Sequence, residues 1–192
     1  MIVVLMMIGI QISSLKAQES NNKTGIYLTA DDYKTGKLSY ATATHLSLNS
    51  FLGGNHVSLV SEGKKVKLVK AGIFGYRINN TDFRFYQNKA YQVLDTAGFM
   101  LYSQAQLVSQ GKGYITLNKY FYSTAQCGDV RELTIANICN SFPDQADFRY
   151  SIESYFHSDA DLAAYNRLNR QYEIKYLYFG HQHHVAAQHA SL

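Results

Sequence analysis

The strongest constraint on the fold is a period-two apolar pattern that begins at Gly25 and continues to about Thr124. Neighbouring residues of a strand lie on opposite faces, so alternation of apolar and polar residues predicts half-buried β-strands. Clusters of turn residues separate the runs, which indicates an antiparallel meander, as a sandwich or a small barrel. Asp31–Asn55 is predicted to be mostly loop. The predicted strands are Ile26–Thr29, His56–Ser61, Lys65–Val69, Ile73–Ile78, Phe83–Gln87, Tyr91–Leu94, Phe99–Ser103 and Tyr114–Tyr122.

After Thr124 the apolar residues recur every three or four positions, which is typical of amphipathic helices. A first helix is predicted to begin at Asp129, because Glu132 lies three residues further on, and to end before Pro143. Asp144 is predicted to cap a second helix.

A third helix is predicted to begin at Ser158 and to end at Phe179, with Gly180 as the residue after its last turn. The aromatic stripe of this helix is expected to pack on the sheet. The fold class is therefore α+β, a β-meander followed by about three C-terminal helices in one domain that spans residues 19–180.

The first eighteen residues, Met1–Gln18, contain an apolar run that is too short to span a bilayer as a helix. The run fits a signal peptide, although no basic residue precedes it; the alternative is a buried terminal strand or helix. We expect an exported protein, periplasmic or extracellular. No later stretch has the length of a transmembrane helix, so none is expected after signal removal.

The two cysteines, Cys127 and Cys139, leave two alternatives open. In an oxidising compartment they can form a disulfide, which closes a loop of about 13 residues and stabilises the fold by roughly 3 kcal/mol. Otherwise they are free thiols, with Cys139 buried as a small apolar side chain.

Several segments resemble a group of small exported proteins of Bacteroidetes-type bacteria. The similar segments are Gly25–Tyr33, Ile73–Arg77, Phe83–Tyr86, Leu133-Thr134, Phe142-Pro143 and Asp161-Leu162. The resemblance covers most of the chain after the signal and implies export from a bacterium. It implies no activity and no site residue.

Histidines cluster at the carboxyl terminus. Imidazole is a common ligand of zinc, copper and nickel, so His181, His183, His184 and His189 are candidate metal ligands. No cysteine or carboxylate accompanies them nearby, and residues 181–192 are expected to form a flexible polar tail. No other cofactor is expected.

Tyrosine and arginine alternate along two neighbouring predicted strands, at Tyr76, Arg77, Arg84 and Tyr86. These residue types are favoured at recognition surfaces, so the four are candidate binding residues. The alternative is that the aromatic side chains lie in the core with solvated arginines between them.

The sequence contains no P-loop, dinucleotide-binding, zinc-protease or nucleophile-elbow motif. The formal net charge is +4, and no run of basic residues indicates nucleic-acid binding. The adjacent carboxylates Asp31 and Asp32 lack a second acidic cluster. We therefore expect a non-enzymatic binding or structural protein of the cell envelope, with an unknown macromolecule as partner. The alternatives are an envelope hydrolase and a metal-handling protein that uses the terminal histidines.

Overall fold

The structure is a computed structural model. It describes residues 23–41, 43, 45–48 and 54–189, with side chains as far as His181. The predicted signal peptide lies outside these residues. None of the helices within the described ranges is long and apolar enough to cross a membrane.

The described chain forms twelve strands and four α-helices, with short 3₁₀ helices at Lys70–Gly72 and Asp159–Ala163. The strands are β1 (Gly25–Tyr27), β2 (His45–Ser47), β3 (His56–Ser61), β4 (Lys64–Val69), β5 (Gly75–Ile78), β6 (Thr81–Tyr86), β7 (Lys89–Asp95), β8 (Met100–Gln110), β9 (Gly113–Ser123), β10 (Arg131–Glu132), β11 (Tyr165–Asn166) and β12 (Gln171–Tyr172). The helices are α1 (Ala30–Thr35), α2 (Ile135–Ser141), α3 (Ala146–Tyr155) and α4 (Glu173–His189).

Antiparallel pairing organises the main sheet, whose seven strands lie in the order β1-β5-β6-β7-β8-β9-β10. A second sheet has the order β2-β3-β4, and β11 pairs with β12. Two-residue loops with positive φ at both positions connect three hairpins, at Glu62-Gly63, Asn79-Asn80 and Gln87-Asn88. This is the type I′ geometry that matches strand twist. The predicted α+β fold with an antiparallel meander and C-terminal helices is confirmed.

The small sheet and the helices pack on the same face of the main sheet. Phe83 lies opposite Gln92, and Gln92 lies opposite Ser103, so the three side chains share one face of the sheet. Leu101 lies on the same face because it precedes Ser103 by two residues on one strand. Phe83 packs against the cluster that includes strand β3, whereas Leu101 belongs to the cluster formed with α2, α3 and α4. The core on this face therefore has two parts, one under the small sheet and one under the helices.

A third, smaller cluster covers the opposite face. It consists of Tyr91, Met100 and Tyr102, with Tyr33 from α1 and Val130 from the loop after β9 packed against them. Helix α1 and this loop thus shield the second face of the sheet.

The segment 31–55 is predicted to be mostly loop, and its described residues depart from this at two places, which form a helix and a strand. Thr29 caps α1: its hydroxyl accepts from the Asp32 amide, and the Asp32 carboxylate accepts from the Thr29 amide. Gly36 ends the helix with a left-handed φ of 69°. Strand β2 also lies in this segment.

The first predicted helix begins later than expected. Arg131 and Glu132 pair with β9 as strand β10, and Thr134 caps α2 through its hydroxyl at 3.1 Å from the Asn137 amide. Asp129 does not cap a helix, because its carboxylate accepts a hydrogen bond from the Tyr86 hydroxyl at 3.0 Å.

The long third helix predicted from Ser158 is wrong. Ser158 forms a capping box with Asp161, but only for the 3₁₀ helix. The chain then turns between β11 and β12, where the side-chain oxygen of Asn166 accepts hydrogen bonds from the backbone amides of Leu168 and Asn169. Helix α4 begins at Glu173 and continues through Gly180 to His189, so Gly180 does not end it.

Candidate functional site

A projecting hairpin is the most unusual feature of the sheet. Strand β8 pairs with β7 only as far as Ser103, and β9 pairs with β10 only at Phe121 and Tyr122. The two strands nevertheless continue to pair with each other as far as Gln110 and Gly113. We call residues 104–119 the arm. No strand within the described ranges flanks the arm on either side.

The arm exposes large apolar side chains on both faces. Leu107 and Tyr114 lie on one face and are 74% and 76% exposed, whereas Ile115 and Leu117 lie on the other at 38% and 47%. None of the arm residues belongs to the three apolar clusters of the described chain. Exposed apolar area of this kind is typical of surfaces that contact a partner.

A groove of about 650 Å³ lies between the arm and the small sheet, on the face of the main sheet that carries Phe83. At the floor β7 and β8 diverge, and the Gln104 side-chain amide spans the gap to the Ala90 carbonyl at 3.3 Å. The lining residues come from strands β6 to β9, the β6–β7 turn and the ends of β2 and β4: Leu48, Lys70, Phe83, Asn88, Lys89, Ala90, Gln92, Ser103, Gln104, Ala105, Gln106, Leu107 and Asn118.

Lys70 gives the groove a buried positive charge. The residue is 4% exposed, and its ammonium donates a hydrogen bond to the Asn88 carbonyl at 3.2 Å and lies 5.7 Å from the centre of the Phe85 ring. None of the carboxylates that the structure describes lies within ion-pair distance of it. Burial lowers the pKa of Lys70. An ammonium has three donors, so this group retains capacity for an anionic ligand.

The four residues predicted as a binding surface do not lie together. Strand pleating places Tyr76 on one face and Arg77, Arg84 and Tyr86 on the other. Tyr76 is 2% exposed and stacks on Phe83 with ring centres 4.7 Å apart. It is therefore a core aromatic, as in the alternative considered from the sequence.

Arg84 is also buried, at 4% exposure, so it is not one of the solvated arginines expected by that alternative. Its guanidinium donates to the Tyr102 hydroxyl at 2.8 Å, to the Ser123 hydroxyl at 3.2 Å and to the Gly128 carbonyl at 2.7 Å. The rings of Phe74, Tyr86 and Tyr102 lie within 6 Å of it. Arg84 thus ties the loop after β9 to the sheet.

Arg77 forms the second polar contact on this face. Its Nε and Nη2 donate to the two oxygens of Asp82 at 2.6 and 2.7 Å, and the Tyr27 hydroxyl donates to the same carboxylate at 2.9 Å. Burial, reinforced by Asp82, raises the pKa of Tyr27, and burial raises the pKa of Tyr33 to about 12. Cavities of about 360 and 460 Å³ adjoin Asp82, but its oxygens are already engaged.

Lys175 is the most deeply buried charged side chain that the structure describes, at 0% exposure. Its ammonium donates to the carbonyls of Ala97 and Phe99 and lies 3.7 Å from an Asp95 oxygen. Burial lowers its pKa from 10.5 to about 8, against the opposing effect of Asp95. These contacts hold the turn between β7 and β8 against α4.

The predicted metal ligands lie on or near the end of α4. His181 shares a hydrogen bond of 2.8 Å with the Ser151 hydroxyl, while for His183, His184 and His189 only the backbone is described, and it is helical. Within the described residues no three His, Cys, Asp or Glu side chains cluster as a metal would require. The metal site stays a prediction.

The remaining candidates are also separate from the groove. Cys127 is exposed and Cys139 half-buried, and both are free thiols in the structure, so the disulfide stays a prediction. Burial raises the pKa of Cys139. Asp32 caps α1, and its hydrogen bonds with Thr29 lower the pKa of its carboxyl.

The strands predicted from the sequence include β9 of the arm from Tyr114 onward, but neither the extension of β8 beyond Ser103 nor the burial of Lys70 is predicted. Apolar and polar residues continue to alternate after Ser103, at Ala105 and Leu107, and this signal predicts a longer strand than the one assigned. Nothing in the sequence indicates that Lys70 is buried, because it follows three lysines of a strand that are exposed. In comparisons with known proteins, no family model, no curated protein and no solved structure matches this chain.

Proposed function

We propose that the protein is an exported, non-enzymatic binding protein that docks a partner protein on the arm. The observation that carries this proposal is the exposure of Leu107, Tyr114, Ile115 and Leu117 on a hairpin that contributes nothing to the three described apolar clusters. Export is supported by the apolar segment at Met1–Gln18.

The exposed side chains of the arm are costly for a protein that remains alone. A long hairpin edge with apolar side chains is prone to pair with other chains unless charge or proline protects it. The arm contains no proline, and Lys112 and Lys119 are its only charged residues. A binding function explains why such a surface is retained.

Three charged groups outside the groove are engaged in structural contacts, which favours binding over catalysis. Asp82 is engaged by Arg77 and Tyr27, and Arg84 and Lys175 are held by backbone and hydroxyl oxygens. Arg84 and Lys175 hold loops in place, and Asp82 joins strands β1, β5 and β6.

Affinity capture from cells that make the protein tests the proposal. We compare the tagged wild type with a variant that combines Leu107→Ser and Leu117→Ser, and with Leu168→Ser as a control. Leu168 is 94% exposed but lies in the β11–β12 turn. Since all three residues are exposed, the melting temperature should stay unchanged in both variants.

A specific partner should be captured by the wild type and by Leu168→Ser, and lost from the double variant. Equal capture of the same proteins by all three forms would contradict a binding role for the arm.

A further inference from the structure

We infer that the groove beside the arm binds an extended, acidic segment of a partner protein, which adds as a strand to the free edge of β8. This inference rests on the proposed function, and it names the chemistry of the partner. Three observations carry it: the open edge, the buried ammonium of Lys70 and the apolar side chains of the groove.

The register of the arm shows which backbone groups are open. Gln110 and Gly113 flank a two-residue turn, so they form a hydrogen-bonded pair, and the bonded pairs then alternate along the ladder. Ala105, Leu107 and Ser109 are therefore the positions of this part of β8 that are not hydrogen-bonded to β9, and none of the other described strands pairs with them. Their amides and carbonyls point away from β9, toward the side where β7 has diverged.

The backbone amides and carbonyls of β8 that point away from β9 recur at every second residue, about 7 Å apart. A peptide in extended conformation presents donors and acceptors at the same spacing, which is the basis of strand addition. The side-chain bond from Gln104 to Ala90 bridges β7 and β8 just where their backbone pairing ends.

Charge indicates that the segment is acidic. Among the residues that the structure describes, the groove is lined by two lysines, Lys70 and Lys89, and by no aspartate or glutamate. Lys89 is exposed, whereas Lys70 is almost fully buried and donates a single described hydrogen bond. A buried charge without a counter-ion is costly, and a carboxylate in the groove would supply both the counter-charge and the missing acceptor.

The groove also requires apolar side chains on the segment. Phe83, Leu107 and Leu48 lie along its walls beside the two lysines. A segment that places both a carboxylate and an aliphatic side chain in the groove matches these walls. An anionic polysaccharide could neutralise the lysines, but it offers no match for the row of amides along β8.

Fluorescence anisotropy with the full chain tests the inference. The probe is a labelled peptide that alternates glutamate with valine, and its counterpart has lysine in place of glutamate. We expect binding of the glutamate peptide alone, and we expect an oligogalacturonate not to displace it. Equal binding of both peptides, or displacement by the oligosaccharide, would overturn the inference.

Two variants test the charge of Lys70 and the backbone edge of β8 separately. Lys70→Met should weaken binding by about tenfold or more, the equivalent of one charge-assisted hydrogen bond, whereas Lys67→Met on the exposed side of β4 should not. Ala105→Pro removes an outward amide and should abolish binding, whereas Ala105→Ser keeps the amide and the affinity. A melting temperature measured for each variant confirms that it folds.

Binding that survives both Lys70→Met and Ala105→Pro would contradict the inference. Failure of the glutamate peptide to bind, while the wild type still captures a partner that the Leu107→Ser, Leu117→Ser variant loses, would refute the acidic strand and leave the proposed function intact.

Discussion

Replacing Lys175 by methionine tests how the fold secures the turn between β7 and β8. The Lys175 ammonium donates to the Ala97 carbonyl at 2.7 Å and to the Phe99 carbonyl, and it lies 3.5 Å from the centre of the Phe99 ring. Methionine keeps the apolar stem but removes the donors, so the buried Phe99 carbonyl loses this partner. The exposed Ala97 carbonyl still accepts a hydrogen bond from the Phe99 amide at 2.9 Å. Each buried polar group left without a partner costs about 1–3 kcal/mol.

The pH determines how much of this loss is measured. Burial lowers the pKa of Lys175 from 10.5 to about 8, so between these values the unfolded chain binds more protons than the folded chain. Stability therefore rises with pH above 8, and this gain is lost as the pH falls through 8. At 1.36 kcal/mol per unit, a rise of one and a half pH units adds about 2 kcal/mol to the wild type.

We expect Lys175→Met to lower the free energy of unfolding by about 2 kcal/mol near pH 7 and by about 4 kcal/mol near pH 9.5. Urea unfolding followed by circular dichroism at a series of pH values measures both. The control Lys67→Met, whose side chain is exposed, should keep the pH slope of the wild type. Equal pH slopes for the wild type and Lys175→Met would contradict a lowered pKa of Lys175 in the folded chain.

Three further predictions concern the sheet and its aromatic residues. Gly75→Ala should lower stability by about 1–3 kcal/mol in thermal melts, because its Cβ would lie 2.0 Å from the Phe83 carbonyl oxygen, whereas Gly72→Ala meets open space and should be neutral. Arg84→Lys should cost about 2 kcal/mol in urea unfolding, since an ammonium cannot reproduce the fork that reaches three acceptors; wild-type stability would contradict this. Burial raises the pKa of Tyr33 to about 12, so its contribution to stability is complete below pH 10 and is lost as the pH rises through 12. The chain has no tryptophan, so phenolate absorbance reports its tyrosines, and a fraction of them should ionise only at high pH, together with unfolding. Ionisation of all tyrosines near pH 10 with the fold intact would contradict this prediction.

Local signals predicted the hairpins well. The β3–β4 hairpin and the Asn79-Asn80 turn follow from period-two alternation and residues that tolerate positive φ. Both signals lie within a few residues of the structure that they specify, so no knowledge of distant contacts is needed.

The errors arose where tertiary contacts decide the structure. Glu132 fits a helix start, but pairing with β9 makes it part of β10 instead. Residues 165–172 have helical spacing, yet the Asn166 carboxamide stabilises a turn within them.

The candidate site was not predictable for a similar reason. Leu107 is exposed because β8 separates from β7 after Ser103, and Lys70 is buried because it packs on the β6–β7 hairpin at Phe85 and Asn88. No local pattern records either long-range arrangement. The sequence identified Arg84 as functional on residue type, whereas its burial shows a structural contact.

Site-specific photo-crosslinking can show directly whether the arm is a partner-binding surface. A photoreactive phenylalanine analogue replaces Tyr114 on the arm or, as the control, Tyr150 on α3, which are 76% and 73% exposed. Irradiation of cells that make each form, followed by mass spectrometry, identifies the adducts. We expect an adduct with a specific protein from position 114 and none from position 150. No adduct at position 114, or the same adducts at both positions, would contradict a binding role for the arm.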